Sequence, residues 1–168
     1  MSAIQERSLT ESEAAEFKRR ANQAWQNLGL VDSDTTPEAA VAAVDAFVDR
    51  WQNERRGVLG KLRASRGPNS TDVALGLGAV WGDQHVRQLA WEWTCLIPDG
   101  RELYAVVSPD RSMVVYATYF LKQCLENSAM DCTAALSFNM LVAGKITGLP
   151  AGGCEDILRR ISRVIPKR

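Results

Sequence analysis

The sequence predicts a single α+β domain, and three observations carry that prediction. The stretch VALGLGAVWGDQHVRQLA (73–90) reads as a glycine-bearing helix that runs directly into a tryptophan strand, WEWTCLI. The turn PDG returns the chain as ELYAVV, and SPDRS then leads into MVVY, which makes an antiparallel meander of at least three strands. On both sides of this block apolar residues recur at three and four. They predict an N-terminal antiparallel helical pair and C-terminal helices packed on one sheet face.

A chain of 168 residues is the size of one domain and buries roughly 70% of its unfolded surface. The 20 basic and 20 acidic side chains balance, so no global field steers the chain toward nucleic acid or anionic lipid. No apolar run approaches the ~20 residues of a membrane span. The first twenty residues are polar and lack the apolar core of a secretory leader, so the expected location is the cytoplasm.

The elements follow in chain order. Residues 1–9 are expected to be a flexible arm, and 10–168 the globular domain. Thr10 and Glu13 form a capping box. Ala14, Phe17, Ala21, Ala24, Trp25 and Leu28 make one stripe, and Gly29 supplies a left-handed C-cap with Leu30 packing back. Pro37 opens a second helix, with Glu38 near its positive end. Its buried face is Val41, Val44, Phe47, Val48, Trp51, Val58 and Leu62, weakened late by Gly57 and Gly60. Ser70 or Thr71 is the expected N-cap of the central helix. Gly76, Gly78 and Gly82 within it imply close approach of another backbone on that side.

In the hairpin, Trp91, Trp93, Cys95 and Ile97 share one face, and Glu92, Thr94 and Leu96 the other. Pro98 suits position i+1 of a type I turn, with Gly100 left-handed in a three-residue bulged loop. That loop pairs Cys95 with Leu103, Trp93 with Ala105 and Trp91 with Val107. A one-residue shift would bring Glu102, Tyr104 and Val106 to the tryptophan face instead. Under the bulged register Glu92 and Glu102 lie together on the outer face. Residues Tyr116–Leu125 read as helical and end at Asn127. Ser128 with Asp131 resembles a capping box for a helix reaching Ala143. A last helix begins near Gly153, with Glu155 and Asp156 at its start and Ile157, Leu158, Ile161, Val164 and Ile165 inward.

No catalytic signature accompanies this pattern. His85 is the only histidine, and Asp83, two residues away on a helix, pairs better with Arg87 at four. Cys154 follows GLPAGG at a predicted helix start, where backbone N–H groups favour a thiolate, although Glu155 and Asp156 oppose it. Cys95, Cys124, Cys132 and Cys154 have no metal-binding spacing. Neither metal nor cofactor is expected. The cations from Arg55 to Arg66 form the one dense basic patch; they complement a helix C-terminus and make nucleic-acid binding a lesser alternative.

The residues from Leu75 to Tyr119, with LGLGAVWGDQHVRQLAWEW and YAVVSPDRS, resemble small bacterial domains of unknown function, some of which occur among polymorphic-toxin immunity proteins. The resemblance covers about a third of the chain and rests on packing motifs, so it transfers no catalytic residue. It implies a non-enzymatic protein-binding module whose partner is a cognate toxin. The contact residues expected for such a module are Glu92, Asp99, Arg101, Glu102 and Tyr104, on the sheet's outer face and hairpin tip. The alternatives are a small enzyme using His85 or Cys154, and a nucleic-acid binder using the Arg55–Arg66 patch.

Overall fold

The computed structural model describes residues 4–55 and 68–162. Within them six α-helices pack against a five-stranded mixed sheet. The strands β1 (Gln5–Arg7), β2 (Glu92–Ile97), β3 (Leu103–Val107), β4 (Met113–Val115) and β5 (Glu155–Asp156) lie in chain order. The first four are antiparallel, and β5 joins β4 in parallel. The meander is therefore correct for β2–β4, and the sheet as a whole is mixed.

Helix α1 (Glu11–Leu28) starts at the Thr10 capping box: Glu13 N–H donates to Thr10 Oγ1, and Glu13 Oε2 accepts from Thr10 N–H. It stops at Gly29, φ 68, where Gly29 and Leu30 N–H donate to the Gln26 and Trp25 carbonyls, the paired bonds of a Schellman end. Helix α2 (Pro37–Glu54) has Thr36 as N-cap and proline in its first turn. Arg55 follows it and stacks on Trp51, 3.4 Å from the ring centroid. The remaining expectations for this region fall on Arg56, Gly57, Val58, Gly60, Lys61, Leu62, Arg63 and Arg66. These lie outside the described residues, as do Arg163, Val164 and Ile165 of the last helix.

Helix α3 (Ser70–Leu89) is the axle of the fold; Asn69, one residue before the expected caps, accepts from Thr71 N–H at 2.9 Å. Ten of its residues, from Ala74 to His85, are buried. Its three glycines explain how helices and sheet come so close. A Cβ at Gly76 would lie 2.9 Å from the Arg20 carbonyl of α1. At Gly78 it would lie 2.8 Å from Thr118 Cα. At Gly82 it would overlap the Trp93 indole. Rather than forming a closed pair, α1 packs chiefly on α3, α2 divides its packing between α3 and the helix Ala134–Val142, and α1 and α2 touch one another only briefly.

Helix α4 (Ala117–Glu126) ends at Asn127 as the sequence predicts. Helix α5 spans Ala134–Val142 and does not begin at Ser128. Its first turn is capped by a residue of another helix: Asp45 of α2 accepts from Ala134 N–H at 3.1 Å and Ala135 N–H at 3.2 Å. Cys132 Sγ also donates to Asp45, at 3.0 Å. One carboxylate that satisfies three donors displaces the local Ser128–Asp131 box. Helix α6 (Ile157–Ser162) buries Ile157, Leu158 and Ile161.

The main core lies between the helices and one sheet face, and includes Trp91 and Trp93 as expected. The other face carries a smaller cluster of Leu96, Ala105, Val107 and Val114, flanked by Tyr116 and Cys154.

Candidate partner-binding face

The hairpin register differs by one residue from the bulged expectation. Trp93 pairs with Val106, Cys95 with Tyr104 and Leu96 with Leu103. The cause is the turn. Asp99 (φ 52, ψ 36) and Gly100 (φ 77) both take left-handed conformations, and Arg101 N–H donates to the Pro98 carbonyl at 3.0 Å. This is a two-residue type I′ connection with Asp-Gly at its centre, the pair that tolerates positive φ at both positions. Pro98 therefore precedes the turn and does not occupy its first corner.

The shift redistributes the expected contact residues. Glu92 pairs with Val107 on the outer face. Asp99 and Arg101 are exposed at the hairpin tip. Tyr104 turns to the helical side, where its hydroxyl donates to Glu13 at 3.0 Å and its ring meets Phe17 edge-on. Glu102 goes with it, 3.0 Å from Arg7. Glu92 and Glu102 thus lie on opposite sides of the sheet, not in one cleft.

The same ion cluster corrects the expectation of a loose N-terminal arm. Residues Gln5–Arg7 pair with β2, and Arg7 binds Glu13 through two bonds of 2.8 Å. Arg7, followed by the Thr10 backbone, holds the Glu13 carboxyl well below the usual carboxylate range.

On the outer face Arg111 reaches across the sheet. Its Nη2 lies 3.0 Å from Glu6 of β1 and 2.8 Å from Glu92 of β2. The turn that carries it is built by Asp110, whose Oδ1 accepts from the Ser108 hydroxyl, the Ser112 hydroxyl and the Ser112 N–H. These donors, Ser108 first, keep the Asp110 carboxyl below its ordinary pKa. The same turn holds Arg111 at φ 56, and Arg111 Nη1 also donates to the Pro109 carbonyl of that turn at 3.3 Å.

Beside this cluster runs a trough of about 880 Å³. Ile4, Pro98, Leu103, Tyr116, Cys154 and Asp156 are among the residues that line it. Burial, then the neighbouring Asp156 and Cys154, pushes the Tyr116 hydroxyl up to about 12. Cys154 does not open a helix. It precedes β5 at φ 45, and its N–H donates to the Arg111 carbonyl at 2.8 Å. Burial raises its thiol pKa, which opposes the reactive-thiol alternative. Glu155 and Asp156, expected at a helix start, form the strand, and Asp156 also opens α6 by accepting from Leu158 N–H at 3.1 Å.

His85 is completely buried. Its Nδ1 lies 3.1 Å from the Trp81 carbonyl, and the ring is enclosed by Trp81, Trp91 and Phe138. No substrate reaches it there. Asp83 also departs from expectation: it accepts from the Trp93 indole at 2.8 Å, while Arg87 pairs with Asp32. Among the described residues no three His, Cys, Asp or Glu side chains are grouped to hold a metal ion. None of the described helices is long and apolar enough to cross a membrane.

Sequence reasoning missed Glu6, Arg111, Tyr116 and Asp156. Arg111 was legible only as part of the SPDRS turn; the Ser-x-Asp-x-Ser spacing was the signal that this turn is rigid. No protein-family model, curated protein or solved structure matches the chain.

Proposed function

We propose that this protein is a non-enzymatic, cytoplasmic protein-binding module, and that its partner is a bacterial toxin that it neutralises by occluding the toxin's active site. The observation that carries the reading is the Glu6–Arg111–Glu92 cluster. The Arg111 guanidinium bridges two carboxylates on the outer sheet face, beside a trough lined by apolar and charged side chains. Charges already fixed in place lose little freedom on binding and give register and specificity to an interface. The resemblance of residues 75–119 to small bacterial domains of unknown function, some of which occur among toxin-immunity proteins, is what suggests a toxin as partner. The contact set follows the observed faces: Glu92, Asp99 and Arg101 stay in it, Glu6 and Arg111 join it, and Glu102 and Tyr104 leave it.

The test is genetic. The product of the adjacent gene is expressed alone and together with this chain. The reading expects growth arrest alone, rescue on co-expression, and loss of rescue by Arg111→Glu with Glu92→Lys in a variant that still folds. A harmless neighbour, or rescue that survives both charge reversals, contradicts it. Steeply salt-dependent retention on nucleic acid would point to the basic-patch alternative.

A further inference from the structure

We propose that His85 makes the core acid-sensitive: taking up a proton at its ring forces the α3–α5 packing apart, while the neutral ring keeps it closed. The chain has a single histidine, and it sits at the centre of the fold with no exposed surface. Three aromatic rings enclose it. Trp81 comes from the same helix, Trp91 from the segment entering β2, and Phe138 from α5. Nδ1 donates to the Trp81 carbonyl, which leaves Nε2 as a buried acceptor without a partner.

An imidazolium in that position would carry a second N–H with no acceptor and a charge with no anion. Asp83, the nearest acid in sequence, is engaged with Trp93, and no charged group contributes to the His85 proton affinity. Burial alone would therefore expel the proton. Burial pushes the ring down to about 4 from an ordinary 6.5. If the chain is acidified below the ordinary value, the ring gains a proton more readily outside its site than in it. Trp91 and Phe138 then lose their common neighbour, which couples the entry of β2 to α5.

The experiment follows the single His Cε1–H resonance and the near-ultraviolet circular dichroism of the full chain between about pH 7 and pH 4. The expected result is that His85 does not titrate while the aromatic signal is native. Its proton uptake coincides with loss of that signal between 6.5 and 4, while far-ultraviolet helicity persists. His85→Leu and His85→Gln, which cannot gain the proton, are expected to move this midpoint to lower pH by about one unit. The inference is overturned by any of three results. The resonance titrates freely near its ordinary value with the aromatic signal intact. The aromatic signal stays native to the end of the range. Or folded variants lose it at the wild-type pH. Should neither variant fold, the wild-type titration decides alone.

Discussion

The indole N–H of Trp93 donates to Asp83 Oδ1 at 2.8 Å, directly beside the glycine over which the ring lies. Gly82 removes the side chain that would block the ring, and Asp83 gives the polar end of that ring its partner. Burial raises the Asp83 pKa, and the Trp93 bond partly offsets it. Asp83→Ala leaves a half-buried indole N–H unpaired and is expected to cost about 1–3 kcal/mol. Asp83→Asn keeps an acceptor and removes a buried charge, so it should cost clearly less. Urea denaturation of both variants checks the order.

Ala90 closes α3 at φ 53 and ψ 34 with an exposed side chain. A left-handed alanine costs roughly 1–2 kcal/mol, part of which glycine regains against its greater freedom when unfolded. Ala90→Gly should therefore raise stability by about 0.5–1 kcal/mol, seen as a higher denaturation midpoint at unchanged slope.

Asp45 caps α5 from α2. Asp45→Ala is expected to cost about 1–2 kcal/mol as a lost cap, and Asp45→Asn less, because an amide oxygen still accepts. Burial raises the folded pKa of Asp45 above 3.8. Its titration therefore favours the fold most below 3.8, and that contribution fades as pH rises through the folded value. Relative to wild type, Asp45→Asn should look better at neutral pH than in acid. Thermal melts at both pH values provide the comparison.

Local chemistry was legible where a few adjacent residues decide the outcome. Thr10 with Glu13, Gly29, Pro37 and Asn127 all act within one helical turn, and each sits where it was expected. The glycine spacing of α3 also foretold intimate packing. The failures share a different physics. Gln5–Arg7 and Glu155–Asp156 are short polar strands without apolar alternation, and distant partners create them. Asp45 caps Ala134 and Ala135 from 89 and 90 residues away, in place of the Ser128–Asp131 box. The hairpin register differs by one because Asp-Gly forms a two-residue type I′ turn rather than part of a three-residue bulged loop, and that difference alone puts Glu102 and Tyr104 on the helical side instead of the outer face. The Glu6–Arg111–Glu92 cluster was hidden for the same reason: it joins residues that only the completed sheet makes neighbours.

The seat of Trp93 on Gly82 is most directly probed by a double-mutant cycle of Gly82→Ala and Trp93→Ala, read by urea denaturation. In the wild-type background the added methyl should destabilise by about 1–3 kcal/mol through overpacking. With the indole removed it should cost nothing, or stabilise by up to about 1 kcal/mol through helix propensity, giving a coupling well outside the ~0.5 kcal/mol expected of independent sites. Additive effects of the two changes would mean that the ring does not rest on this glycine, and the packing of α3 against the sheet would have to be abandoned.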